Sequence, residues 1–169
     1  DVVINEINYD PMERNDVGGS IYEFVEIYNP GPASVDLSGY LFKDGITFTF
    51  PNQVILNADA YLVLARVPTN SYWRNKSYPV VGPYEGKLSN GGEKLVLTRA
   101  DGTIVDQLKY NDKAPWPRAA DGYGPTLERI AWDLPSDDFH TWRASLRADG
   151  TPGTRNSVAD LPPRPVILA

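Results

Sequence analysis

The chain has 169 residues, 41% hydrophobic and 22% charged, a balance that predicts one globular domain with a sizeable core. A net charge of −6 argues against a surface that tracks nucleic-acid phosphates or docks on anionic membranes. There is no cysteine, which excludes disulfides, thiolate zinc sites and thiol nucleophiles, and no apolar run is long enough to cross a bilayer as a helix.

Fifteen prolines and fourteen glycines separate short β-rich runs, and no stretch carries a sustained helical period. Strands are predicted at 2–9, 22–29, 40–43, 46–50, 61–65, 94–99, 103–110 and 126–132. In 22–29, Val25 and Ile27 share one side while Phe24, Glu26 and Tyr28 share the other. That alternation predicts a half-buried strand with Glu26 on the solvent face. Glu6 and Glu128 lie in strands too and are the candidates for a glycosidase-like carboxylate pair with Glu26; the outer face of a sheet is the commoner place for such residues.

The run 61–65 is apolar throughout and is expected at the centre of a sheet. Residues 67–87 then form a long segment with no predicted strand, carrying Tyr72, Trp73, Tyr78 and Tyr84. Loops of that length are often functional. Tyr72, Trp73 and Tyr84 are the candidate ligand-binding residues, because flat amphipathic rings suit sugar faces and protein interfaces. Asp101-Gly102 marks a two-residue hairpin turn between 94–99 and 103–110. The same five residues, RADGT, recur at 147–151 and are read as an Asp-Gly turn used twice. Trp116, Trp132 and Trp142 read as packing plugs. Pro162, Pro163 and Pro165 favour extended backbone, so residues 1–157 are taken as the domain and 158–169 as a Pro-rich linker or tail.

A nucleophilic triad needs a base, and the one histidine, His140, sits in DDFHTWR without a G-x-S-x-G elbow nearby. Oxygen-rich loops at 8–16, 119–124 and 134–140 could gather calcium ligands, although none has the D-x-D-x-D-G spacing. Asp10, Asp16 and Asp121 are the candidates for a structural calcium, against the simpler reading that Asp and Asn cap turns. No other cofactor is expected.

The stretches VINEINYDP, EFVEIYNPGPASVDLSGYLFKDG, AYLVLAR and GKLSNGGEKLVLTRADGTIVDQLKY, taken in order, resemble the lamin tail domain in its bacterial form. APWPRAADGYGPTLERI and WRASLRADGTPGTRNS resemble the later part of those bacterial versions. The resemblance implies an immunoglobulin-like antiparallel β-sandwich, the same class that the strand pattern predicts. It also implies a non-catalytic accessory domain of a larger exported or surface bacterial protein, located outside the cell, on its surface or in the periplasm. Its expected partners are a protein or a cell-surface polymer and adjacent modules of the parent chain, with no nucleic acid and no membrane insertion. The alternatives are a carbohydrate-binding module using the Tyr72–Tyr84 loop and, third, a hydrolase centred on Glu26 or His140.

Overall fold

The computed structural model describes residues 1–13 and 18–163. It is an all-β sandwich. Twelve strands run in chain order: β1 Val3–Asn8, β2 Phe24–Asn29, β3 Val35–Asp36, β4 Leu41–Asp44, β5 Phe48–Thr49, β6 Ile55–Leu56, β7 Ala60–Ala65, β8 Val80–Val81, β9 Lys94–Thr98, β10 Ile104–Lys109, β11 Pro125–Arg129 and β12 Trp142–Ala148. One sheet has the order β12-β11-β1-β2-β7-β8, a second has the order β10-β9-β4-β5, and β3 pairs with β6. Pairing is antiparallel except between β7 and β8.

The core lies between the two large sheets. Ile4, Ile7, Val25, Ile27, Leu62, Leu64 and Leu127 from the six-stranded sheet meet Phe42, Leu95, Leu97 and Leu108 from the four-stranded one. Alternation thus sends the predicted side of 22–29 inward. β7, the continuous apolar run, lies inside the sheet between β2 and β8. The Asp101-Gly102 turn joins β9 to β10 as a hairpin, with Gly102 at a positive φ of 87°. The two sheets are tied together by a buried ion pair. Arg129 of β11 lies 3.0 Å from Asp106 of β10, and Asp106 also accepts from the Ile4 backbone N–H at 2.8 Å.

Two expectations change. The segment 67–87 holds structure of its own, a one-turn helix α1, Ser71–Arg74, and the short strand β8. Packed chain also continues past residue 157: Val158 is fully buried, the Asp160 N–H donates to the Ile130 carbonyl, and Arg143 donates to the Pro162 carbonyl at 2.8 Å. The start of the predicted linker is therefore part of the folded body.

Candidate functional site

The largest departure from the sequence reading concerns the carboxylates. Glu6, Glu26 and Glu128 do share one face of the sheet, but all three are 0% exposed. They stand directly opposite one another across three adjacent strands, with Glu6 paired to Glu128 on one side and to Glu26 on the other. A register shift between Ile4 and Glu6 makes Asn5 an extra residue in β1, so Asn5 and Glu6 both turn outward while Ile4 and Ile7 stay in the core. The solvent reading fails because residues 149–158 cross this face as a strap.

The strap supplies the donors that buried carboxylates require. The Thr151 N–H reaches Glu6 Oε1 at 3.1 Å, and the Thr151 hydroxyl donates to Glu128 at 2.7 Å. The Gly153 N–H donates to Glu26 at 2.5 Å, while the Ser157 hydroxyl and Val158 N–H donate to Glu128 Oε2 at 2.7 and 3.1 Å. From the sheet itself, Thr126 donates to Glu6 at 2.6 Å and Asn5 to Glu26 at 2.8 Å. Burial, and then the Glu26 and Glu128 charges, hold the Glu6 carboxyl well above the usual range. Burial pushes Glu26 up to about 8, against the opposing effect of its Gly153 and Asn5 donors. Gly150 permits the close approach: its φ is +70°, and a Cβ there would lie 1.7 Å from Glu6 Oε1.

The aromatic candidates of the 67–87 segment do not form an open platform. Trp73 is 2% exposed and packs edge-on against Phe24, with ring centroids 5.6 Å apart, inside a small outer cluster with Val63 and Ala65. Tyr84 is 5% exposed, and its hydroxyl donates to Glu23 at 3.1 Å. Glu23 also holds Arg66 at 3.0 Å and accepts from the Leu88 N–H, so this carboxylate is a structural junction. Tyr72 is half-buried, contacts the Tyr22 and Trp73 rings edge-on, and has the Lys76 ammonium 3.8 Å from its centroid. Trp73 and Tyr84 are thus corrected from ligand-facing to packing residues, the burial of their apolar surface being worth more than exposure.

Of the calcium candidates, Asp10 and Asp121 are brought together by an isolated β-bridge, while Asp16 lies outside the described residues. Asp10 accepts from the Asn90 amide at 2.5 Å, and partial burial followed by the facing Asp121 carboxylate raises its pKa. Among the described residues no group of three or more His, Cys, Asp or Glu side chains is placed to hold a metal. His140 is bonded to Asp138 at 2.6 Å, while the Ser136 hydroxyl donates to Asp106 instead.

A polar-aromatic cleft of about 510 Å³ lies at one end of the six-stranded sheet. Tyr28 of β2 and Tyr61 of β7 are cross-strand partners, and their rings stack with centroids 4.6 Å apart and planes 17° from parallel. The Tyr28 hydroxyl donates to Asp59 at 2.7 Å. The turn after β11 contributes Trp132 and Asp133, the strap contributes Arg155 and Asn156, and Asp160 follows just beyond it. Trp132, predicted to be a plug, is instead 51% exposed. Asn156 forms part of the floor, donating to the Asn5 and Arg129 carbonyls at 3.0 and 2.8 Å. Alternation places Tyr28 on the outer side of β2, and Tyr61 and Trp132 are not among the ligand-binding candidates that the sequence offers. The polar flanks of Trp132 in IAWDLPSDD were the available signal.

The model of the Lamin Tail Domain family matches residues 1–112, well over half of the chain. The chain belongs to the lamin tail domain family. β11, β12 and the strap lie beyond the matched part, yet they complete the sheet of this lamin tail domain. A crystal structure of a DUF4876 family protein from Bacteroides thetaiotaomicron is similar, with a TM-score of 0.55 at 10% identity. The likeness covers 76% of this chain and 62% of that one, so the present domain spans less than two thirds of its neighbour, and at such identity the likeness concerns the fold alone. No curated protein matches the sequence.

Proposed function

We propose that this lamin tail domain is a non-catalytic attachment domain of a larger exported or surface bacterial protein, holding its parent chain to a protein or a cell-surface polymer. One observation carries the reading: the carboxylates best placed for acid–base chemistry are sealed under the strap, whereas accessible aromatic and polar groups gather at the Tyr28–Tyr61–Trp132 cleft. General acid–base catalysis needs its carboxyl within hydrogen-bond reach of a substrate, and the acceptor positions of Glu6, Glu26 and Glu128 are already filled by Thr, Ser and backbone donors. The attachment surface is therefore the cleft.

The test is sedimentation of the labelled domain with isolated bacterial cell envelopes. Saturable binding, weakened by the Trp132→Ala change, supports attachment through the cleft. Absence of binding to envelopes from both Gram-negative and Gram-positive cells removes the reading. For Asp10 and Asp121, the backbone bridge between them and the Asn90 amide that donates to Asp10 account for the geometry without an ion. Millimolar calcium should accordingly leave the melting temperature unchanged, and a rise reversed by chelator would install calcium at this loop.

A further inference from the structure

We infer that the cleft bounded by Tyr28, Tyr61 and Trp132 takes a neutral, polyhydroxylated ligand, a saccharide of one or two rings at the end or within the chain of a polymer. The inference rests on the attachment reading and names its ligand class. Three features converge on it.

The first is a flat apolar surface beside water. The parallel Tyr28 and Tyr61 rings are half-buried at the cleft wall, and half of the Trp132 surface is open. A pyranose presents C–H-lined faces, and aromatic rings take up such surfaces while their polar edges remain hydrated. The second is the polar set around those rings. Asp59 and Asp133 are exposed acceptors, Arg155 is a donor, and the tyrosine hydroxyls can do both. Vicinal hydroxyls need donors and acceptors side by side, because each O–H must give one bond and accept others.

The third feature is charge. Arg129 is consumed by Asp106, and Arg155 pairs with Asp160 across the cleft rim. Asp59 and Asp133 oppose an anion in the same space. An anion is thereby disfavoured, and the side-by-side donors and acceptors of the lining complement a neutral ligand rich in hydroxyls. The cleft volume falls within the roughly 300–1,000 Å³ of small-ligand sites.

Native affinity electrophoresis tests this, using gels containing xylan, mannan, mixed-linkage β-glucan or dextran, with polygalacturonate as an anionic control. At least one neutral polymer should retard the wild-type domain. The Trp132→Ala and Tyr61→Ala variants should each weaken that retardation tenfold or more, while Leu146→Ala, an exposed change outside the cleft lining, should leave it intact. Trp132 is exposed, so its variant folds even if Tyr61→Ala does not, and a thermal melt of each variant verifies this. Retardation by none of the neutral polymers, by polygalacturonate alone, or equally in Trp132→Ala overturns the inference. If envelopes still bind the domain while these gels do not, the saccharide falls and attachment stands; if envelopes fail too, both fall.

Discussion

Single residues in this domain derive their roles from what lies across from them, and the repeated RADGT segment makes the point. Gly102 and Gly150 both hold positive φ, but a Cβ at Gly102 meets open space whereas one at Gly150 would strike Glu6 and Thr126. Gly102→Ala should therefore cost about 1 kcal/mol, the backbone penalty alone. Gly150→Ala should cost about 2–4 kcal/mol, because the strap must lift off its carboxylates as well; urea melts of the two variants measure the difference. The glutamate row makes stability depend on pH. Glu6 and Glu26 keep their protons to higher pH when folded than when unfolded. The stability they support is complete below the ordinary glutamate value of 4.5 and is lost as pH rises towards about 8, the folded value of Glu26. The neighbouring donors are Thr126, Thr151, Gly153, Ser157, Val158 and Asn5, and Arg143 stands opposite Glu128 on the far strand. Thermal melts from pH 5 to pH 8.5 should show a falling melting temperature, and Glu6→Gln, which removes one charge, should flatten that slope; an unchanged slope would separate the row from the effect.

Elements show how far the sequence could be read. Strand positions and the inward pair Val25 and Ile27 follow from alternation, the central place of β7 from its continuous apolar run, and the β9–β10 hairpin from Asp-Gly. What alternation cannot express is what covers the second face. Alternation places Phe24 and Glu26 on one side of β2, but that side is roofed by α1 and by the strap, elements with no period of their own. The two-residue strands β3, β6 and β8 carry too little pattern to be seen at all. The cleft was equally hidden, since Tyr28, Tyr61, Trp132 and Arg155 come from four separate parts of the chain. The β10–β11 link was hidden for the same reason. Asp106 and Arg129 are side by side only once the sheets stack, and their burial makes the pair sensitive. Asp106→Ala leaves a buried guanidinium uncompensated and should cost about 3–5 kcal/mol, measurable by chemical denaturation.

At the scale of the molecule, the part matching the lamin tail family is not the whole folding unit. β1 lies between β2 and β11, so a chain ended at residue 112 would turn β1 into a bare edge and leave Glu6 and Glu26 without strap donors. Such a chain should lack a cooperative unfolding transition by circular dichroism, and a sharp transition in it would show the extension to be dispensable. The order in which the residues are made adds a different consequence. Glu6 and Glu26 emerge from the ribosome well over a hundred residues before Thr151 and Gly153, their final partners. Until then they stay ionised on the outer face of an unfinished, valine- and isoleucine-rich sheet. There they act as gatekeepers, and their charge discourages one growing chain from pairing with another before the strap closes.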